Sequence, residues 1–154
     1  MNRVILSTMF AVAVMCAVTT SGAGALAKTA AELTPALVDP YVRVQSALAA
    51  DKIEGVKPDA AAIGAAAGTL GEAARPIAAA ARRLEEAANL KDARKAFGEV
   101  SDTLFAYVKT SGASMPPGVK TAYCPMVNKS WLQKGDKIQN PYYGSEMLEC
   151  GSFR

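Results

Sequence analysis

Two short stretches near the C-terminus hold four of the five sulfur side chains that follow residue 27: Cys124-Pro125-Met126 and Met147-Leu148-Glu149-Cys150. Thiolate and thioether are soft ligands, and a site built from them selects Cu(I) or Ag(I) over hard cations such as Mg²⁺ and Ca²⁺. Cys-x-Met in an extended turn can aim both sulfurs to one side, and Met-x-x-Cys places its pair on one face of a helical turn. Each stretch then forms half of a clamp. Pro125 fixes the backbone of the first half, and Gly144 and Gly151 permit tight turns around the second.

The same cysteines have a structural use that is the commoner one for two cysteines in an exported chain. In an exported chain a Cys124–Cys150 disulfide would close a loop worth roughly 3 kcal/mol, with Met126 and Met147 as mere packing. No methionine lies between 28 and 114, where a helical core normally uses Met to fill gaps, and this moves the balance partway back toward the ligand role. The two uses could also alternate, with the disulfide as the oxidised, metal-free form. Met115 is at most a flexible auxiliary ligand, since it is distant from both stretches and followed by Pro116-Pro117.

Other chemistry is excluded by composition. The chain has no histidine, which removes Ser-His-Asp and Cys-His nucleophiles, histidine zinc ligands and c-type haem attachment. Its carboxylates are scattered, with no pair suited to acid–base work, so no enzymatic activity is expected. The net charge of +3 comes without a basic stripe and interleaved aromatics, which argues against nucleic acid as a partner. Trp131, Tyr142 and Tyr143 read either as a small core of the C-terminal segment or as a docking surface.

The elements that must position these residues begin after a leader. Residues 1–27 carry Arg3, an apolar run from Val4 to Val18 and a small-residue end at Ala25-Leu26-Ala27, the pattern of a removable secretory signal peptide. Cys16 would leave with it. No later run is long and apolar enough to span a bilayer, so no stable membrane insertion is expected.

Residues 28–113 are Ala-rich and read as a helical bundle punctuated by proline. Thr34-Pro35 and Asp39-Pro40 look like helix starts, and Tyr41, Val44 and Leu48 recur at helical spacing until Asp51-Lys52. Pro58 opens a second segment, Pro76 marks a kink or boundary, and Leu90 to Val108 repeats apolar residues at steps of three and four before a Gly112 cap. Residues 114–154 change to Pro, Gly, Asn and aromatics, with turn signals at Gly135, Asn140-Pro141 and Tyr143-Gly144. The expected fold is therefore all-α: a small antiparallel bundle of about four helices, with an ordered C-terminal loop or short hairpin packed on it in the same domain.

The stretches C-P-M, Ser130-Trp131-Leu132, Ile138-Gln139-Asn140-Pro141-Tyr142-Tyr143-Gly144 and Met147-Leu148-Glu149-Cys150-Gly151 resemble the periplasmic helical family catalogued as domain of unknown function 3347. The stretch Ala93-Arg94-Lys95-Ala96-Phe97 is similar to that family's helix, although the segment between Met126 and Trp131 is shorter here. Members occur free-standing and as an extra domain on CusB-type copper/silver efflux membrane-fusion proteins. The resemblance implies a periplasmic location, heavy-metal handling alongside components of a copper/silver efflux system, and Cys124, Met126, Met147 and Cys150 as ligands. The alternative expectation is a disulfide-stapled module that docks an envelope partner through its aromatic loop.

Overall fold

The computed structural model describes residues 32–154, so the signal-peptide reading of 1–27 lies outside the described residues. Helix α1 spans Pro35–Ala49, α2 Val56–Gly68, α3 Arg75–Glu85 and α4 Leu90–Ser111. Strand β1 follows at Val119–Cys124, β2 at Lys129–Lys134 and β3 at Ser152–Phe153. Among the described residues no helix is long and apolar enough to cross a membrane.

Local chemistry accounts for the helix ends. Pro35 starts α1, where a missing N–H costs nothing, whereas Pro40 sits inside the helix and forgoes its bond to Ala36. Helix α2 opens at Val56, two residues before Pro58, from Gly55 in the left-handed region at φ 83°. Pro76 marks a true boundary: the chain breaks at Gly71, turns once as 3₁₀ over Glu72–Ala74, and restarts as α3. Asn89 caps α4 by accepting the Asp92 N–H at 3.0 Å, and Gly112 ends the helix at φ 72°.

The all-α expectation is wrong. The C-terminal third contains a three-stranded antiparallel sheet of order β2-β1-β3, so the chain is four helices plus a sheet. β1 pairs with β2 from Val119↔Lys134 to Cys124↔Lys129, and with β3 at Ala122↔Phe153 and Tyr123↔Ser152. The hairpin turn is Pro125-Met126-Val127-Asn128, with Asn128 in the left-handed region at φ 50°. Its chemistry is that of a turn in which Asn tolerates positive φ.

Strand β2 is what seats the sheet on the helices. Trp131, Leu132 and Gln133 are all buried, and the core continues from them into Tyr41 and Leu48 of α1 and Phe97 and Leu104 of α4. The buried Tyr41 hydroxyl bonds Ser101 Oγ at 2.6 Å and accepts the Leu132 N–H at 3.3 Å, tying α1, α4 and β2 together. The rings of Tyr41 and Phe97 lie 4.8 Å apart, Phe97 and Tyr142 6.1 Å, and Trp131 and Tyr142 5.8 Å in an edge-on contact.

Candidate metal centre

The sulfur site forms at the end of β1 next to the 125–128 turn, where the chain entering β3 passes. Cys124 is the last residue of β1, and Cys150 lies two residues before β3, which pairs back onto β1. Their sulfurs are 3.4 Å apart, and both cysteines are free. A disulfide bond would be about 2.0 Å. Two sulfurs bound to one tetrahedral ion at the 2.3 Å typical of zinc thiolates would stand about 3.8 Å apart. The observed spacing lies between these two, within a side-chain rotation of either.

The backbone holds this spacing from both sides. Asn140, fully buried, donates from Nδ2 to the Cys150 carbonyl at 2.8 Å, and its backbone N–H donates to the Leu148 carbonyl at 2.8 Å. Its Oδ1 accepts the Tyr142 N–H at 2.8 Å. Gly151 adopts φ 143°, and a Cβ there would lie 2.8 Å from the Tyr123 carbonyl oxygen and 2.9 Å from the Trp131 ring. Only glycine lets the chain leave Cys150 this close to β1.

A second set of contacts pins the segment between β2 and Cys150 to the helices. Arg94 of α4 donates to the Pro141 carbonyl at 3.1 Å and the Leu48 carbonyl at 3.0 Å, and pairs with Asp51. Asp51 Oδ2 in turn accepts the Ser145 N–H at 3.1 Å. Bonds to Ser145 and to Arg94 hold the Asp51 carboxyl below its usual range. Gln45 donates to the Gln139 carbonyl at 2.6 Å, and Gln133 Oε1 accepts from the Trp131 indole at 2.9 Å and from Gln139 N–H at 3.1 Å.

The two cysteines differ in environment. Burial works against a charged Cys124, but the N–H groups of Val127 and Met126, the Cys150 thiol and Asn140 outweigh it and hold its thiol below the usual value. At Cys150 the bond to Cys124, reinforced by burial, pushes the thiol up. The two thiols share one hydrogen-bond contact at 3.4 Å in which either can donate. Cys124 is 0% exposed, while Cys150 is partly open to solvent.

The structure thus brings Cys124 and Cys150 together. Met147 shares a turn with Cys150, whose N–H donates to the Met147 carbonyl at 3.0 Å, so this pair does lie at i and i+3 of one turn. Met126 stands 64% exposed at the turn outside Cys124. Met115 is half-buried against the core at the far end of β1. Among the described residues no three of His, Cys, Asp and Glu converge, so any larger ligand set must draw on the methionines. Trp131 is fully buried and Tyr142 donates its hydroxyl to the Ser130 carbonyl at 2.8 Å, so both rings serve the inner core of the segment.

Sequence reasoning missed Asn140, Arg94 and Asp51 as the residues that position this site. Asn140 was visible as a turn signal before Pro141 and as part of the Ile138–Gly144 stretch, without a positioning role, and Asp51 only as the fading end of a helix. Comparison of the chain with family models, with curated proteins and with solved structures finds no match.

Proposed function

We propose that this chain is a non-enzymatic periplasmic protein that binds Cu(I), and Ag(I) by the same chemistry, and buffers it or passes it to components of an efflux system. The observation that carries this reading is the 3.4 Å pair of free sulfurs, one of them buried, with backbone N–H groups lowering its thiol pKa. Two thiols with thioether neighbours suit a soft monovalent ion: they give up protons on binding, and no hard oxygen ligand is needed. Cys124 and Cys150 grip the ion, Met147 adds a thioether from the Cys150 turn, and the exposed Met126 is the sulfur that an arriving ion meets first. The resemblance to the domain of unknown function 3347 family supports the location and the metal class.

The test is competition for Cu(I) against a colorimetric chelator under anaerobic, reducing conditions. Cys124→Ser and Met147→Leu are expected to lower the affinity while helical circular dichroism is unchanged. Wild-type affinity in both variants would end the proposal.

A further inference from the structure

We propose that Cys124 and Cys150 also form a reversible dithiol–disulfide couple that closes the metal site, with Cys150 meeting the oxidant and Cys124 completing the bond. The metal half of this proposal rests on the Cu(I) reading above; the couple itself does not.

The geometry for closure already exists. The sulfurs are 3.4 Å apart, and the β1–β3 register at Ala122↔Phe153 and Tyr123↔Ser152 carries the Cys150-Gly151 backbone beside Cys124. Asn140 fixes the Cys150 carbonyl, and Gly151 abuts the Tyr123 carbonyl and Trp131. Closure therefore needs side-chain rotation without strand movement. The usual obstacle to bridging two cysteines, a backbone held in the wrong place, is absent.

Access sets the order of events. Cys124 is fully buried at the end of β1, so a disulfide-bearing oxidant reaches the partly open Cys150. Cys150 gives up its proton as it attacks one sulfur of the oxidant's disulfide; that bond breaks and the first thiol leaves carrying the proton. Cys124 then attacks Cys150 Sγ from within contact distance, forms the Cys124–Cys150 bond and expels the second thiol. Two protein thiols lose two electrons and two protons, and the oxidant's disulfide becomes two thiols. The product has no thiolate to offer a soft ion, so oxidation and Cu(I) binding exclude one another.

The experiment treats the reduced, metal-free chain with glutathione disulfide and follows intact mass after acid trapping, with peptide mapping of early time points. The expected course is a transient single-glutathione adduct on Cys150, followed by a species two hydrogens lighter than the dithiol. Cys124→Ala should stop at the adduct. Cys150→Ala should react roughly tenfold more slowly, because its remaining sulfur is buried. Should the Cys124 variant not fold, mapping of the wild-type adduct carries the test alone. The oxidised wild type is then expected to withdraw no Cu(I) from the chelator and to regain that ability after phosphine reduction.

A first adduct on Cys124, a persistent adduct without closure, or equal Cu(I) uptake by oxidised and reduced chains would overturn the proposal. Closure through Cys150 in a chain whose reduced form also ignores Cu(I) would remove the gate and the metal reading together, while keeping the exchange couple.

Discussion

Replacing Gly151 by alanine tests whether the close approach of Cys150 to β1 is built into the backbone. Gly151 has φ 143°, a region that side-chain-bearing residues rarely adopt, at a cost of about 1–3 kcal/mol. The new Cβ would also lie 2.8 Å from the Tyr123 carbonyl oxygen and 2.9 Å from the Trp131 ring. Neither neighbour yields cheaply, since one is backbone in a paired strand and the other a fully buried indole. Overpacking of this kind adds about 1–3 kcal/mol. The sum, about 2–6 kcal/mol, is large against the 5–15 kcal/mol stability of a typical domain.

Gly118→Ala supplies the control: it too has positive φ, 78°, but a Cβ there meets nothing within 4 Å. Urea unfolding followed by circular dichroism should place Gly151→Ala below Gly118→Ala by at least about 1 kcal/mol, with the tryptophan emission of Trp131 shifted only in the former. Equal losses in the two variants would show that the chain does not pass Tyr123 and Trp131 as closely as described.

Three further outcomes are expected. Tyr41→Phe removes the hydroxyl that joins Ser101 and the Leu132 N–H, at a cost of about 1–3 kcal/mol in urea unfolding, because Leu132 N–H is left buried without that partner. Burial also raises the Tyr41 hydroxyl pKa, so its contribution is complete below about pH 10 and is lost as pH rises toward the folded value; the phenylalanine variant should lack that alkaline loss. Asp51 is depressed by Ser145 and Arg94, so its contribution is present above about pH 4 and fades as pH falls through the folded value. The gap in urea midpoint between wild type and Asp51→Asn should therefore narrow in acid. Amide exchange of the apo chain should be faster across 147–153 than at the centre of α4, since β3 has two residues and α4 is a long, core-packed helix.

The helices were legible because their signals are local. Gly112 and the spacing from Leu90 to Val108 act through the chain's own turns, and α4 spans the segment they indicate. The sheet was not legible, because its strands break the alternation that marks a half-buried strand. β1 buries only Ala122 and Cys124, two small residues, and leaves Val119, Thr121 and Tyr123 partly open. β2 buries Trp131, Leu132 and Gln133 in succession, since one face meets the helices and the other the folded-back loop. β3 is too short for any period to appear. The cysteine pairing was visible as mirrored spacing, whereas Asn140 and the Asp51–Arg94 pair act across long sequence separations that periodicity does not record.

The order of the sheet explains why a helical bundle is attached to so small a sulfur site. The bundle grips the C-terminal segment through β2 and the following loop, at Asp39–Lys134, Tyr41–Leu132, Gln45–Gln139 and Arg94–Pro141. Neither cysteine is among the residues so gripped; Cys124 ends the central strand β1 and Cys150 precedes the edge strand β3. One half of the clamp is thus fixed through the β1–β2 ladder to a rigid support. The other half is held by Asn140, the Gly151 approach and two residues of strand. Opening that second half disrupts few apolar contacts, so its free-energy cost falls well below that of unfolding the bundle. On the proposed Cu(I) reading, a site built this way would release its ion through local opening of Met147 to Phe153, while α1, α4 and β2 stay packed.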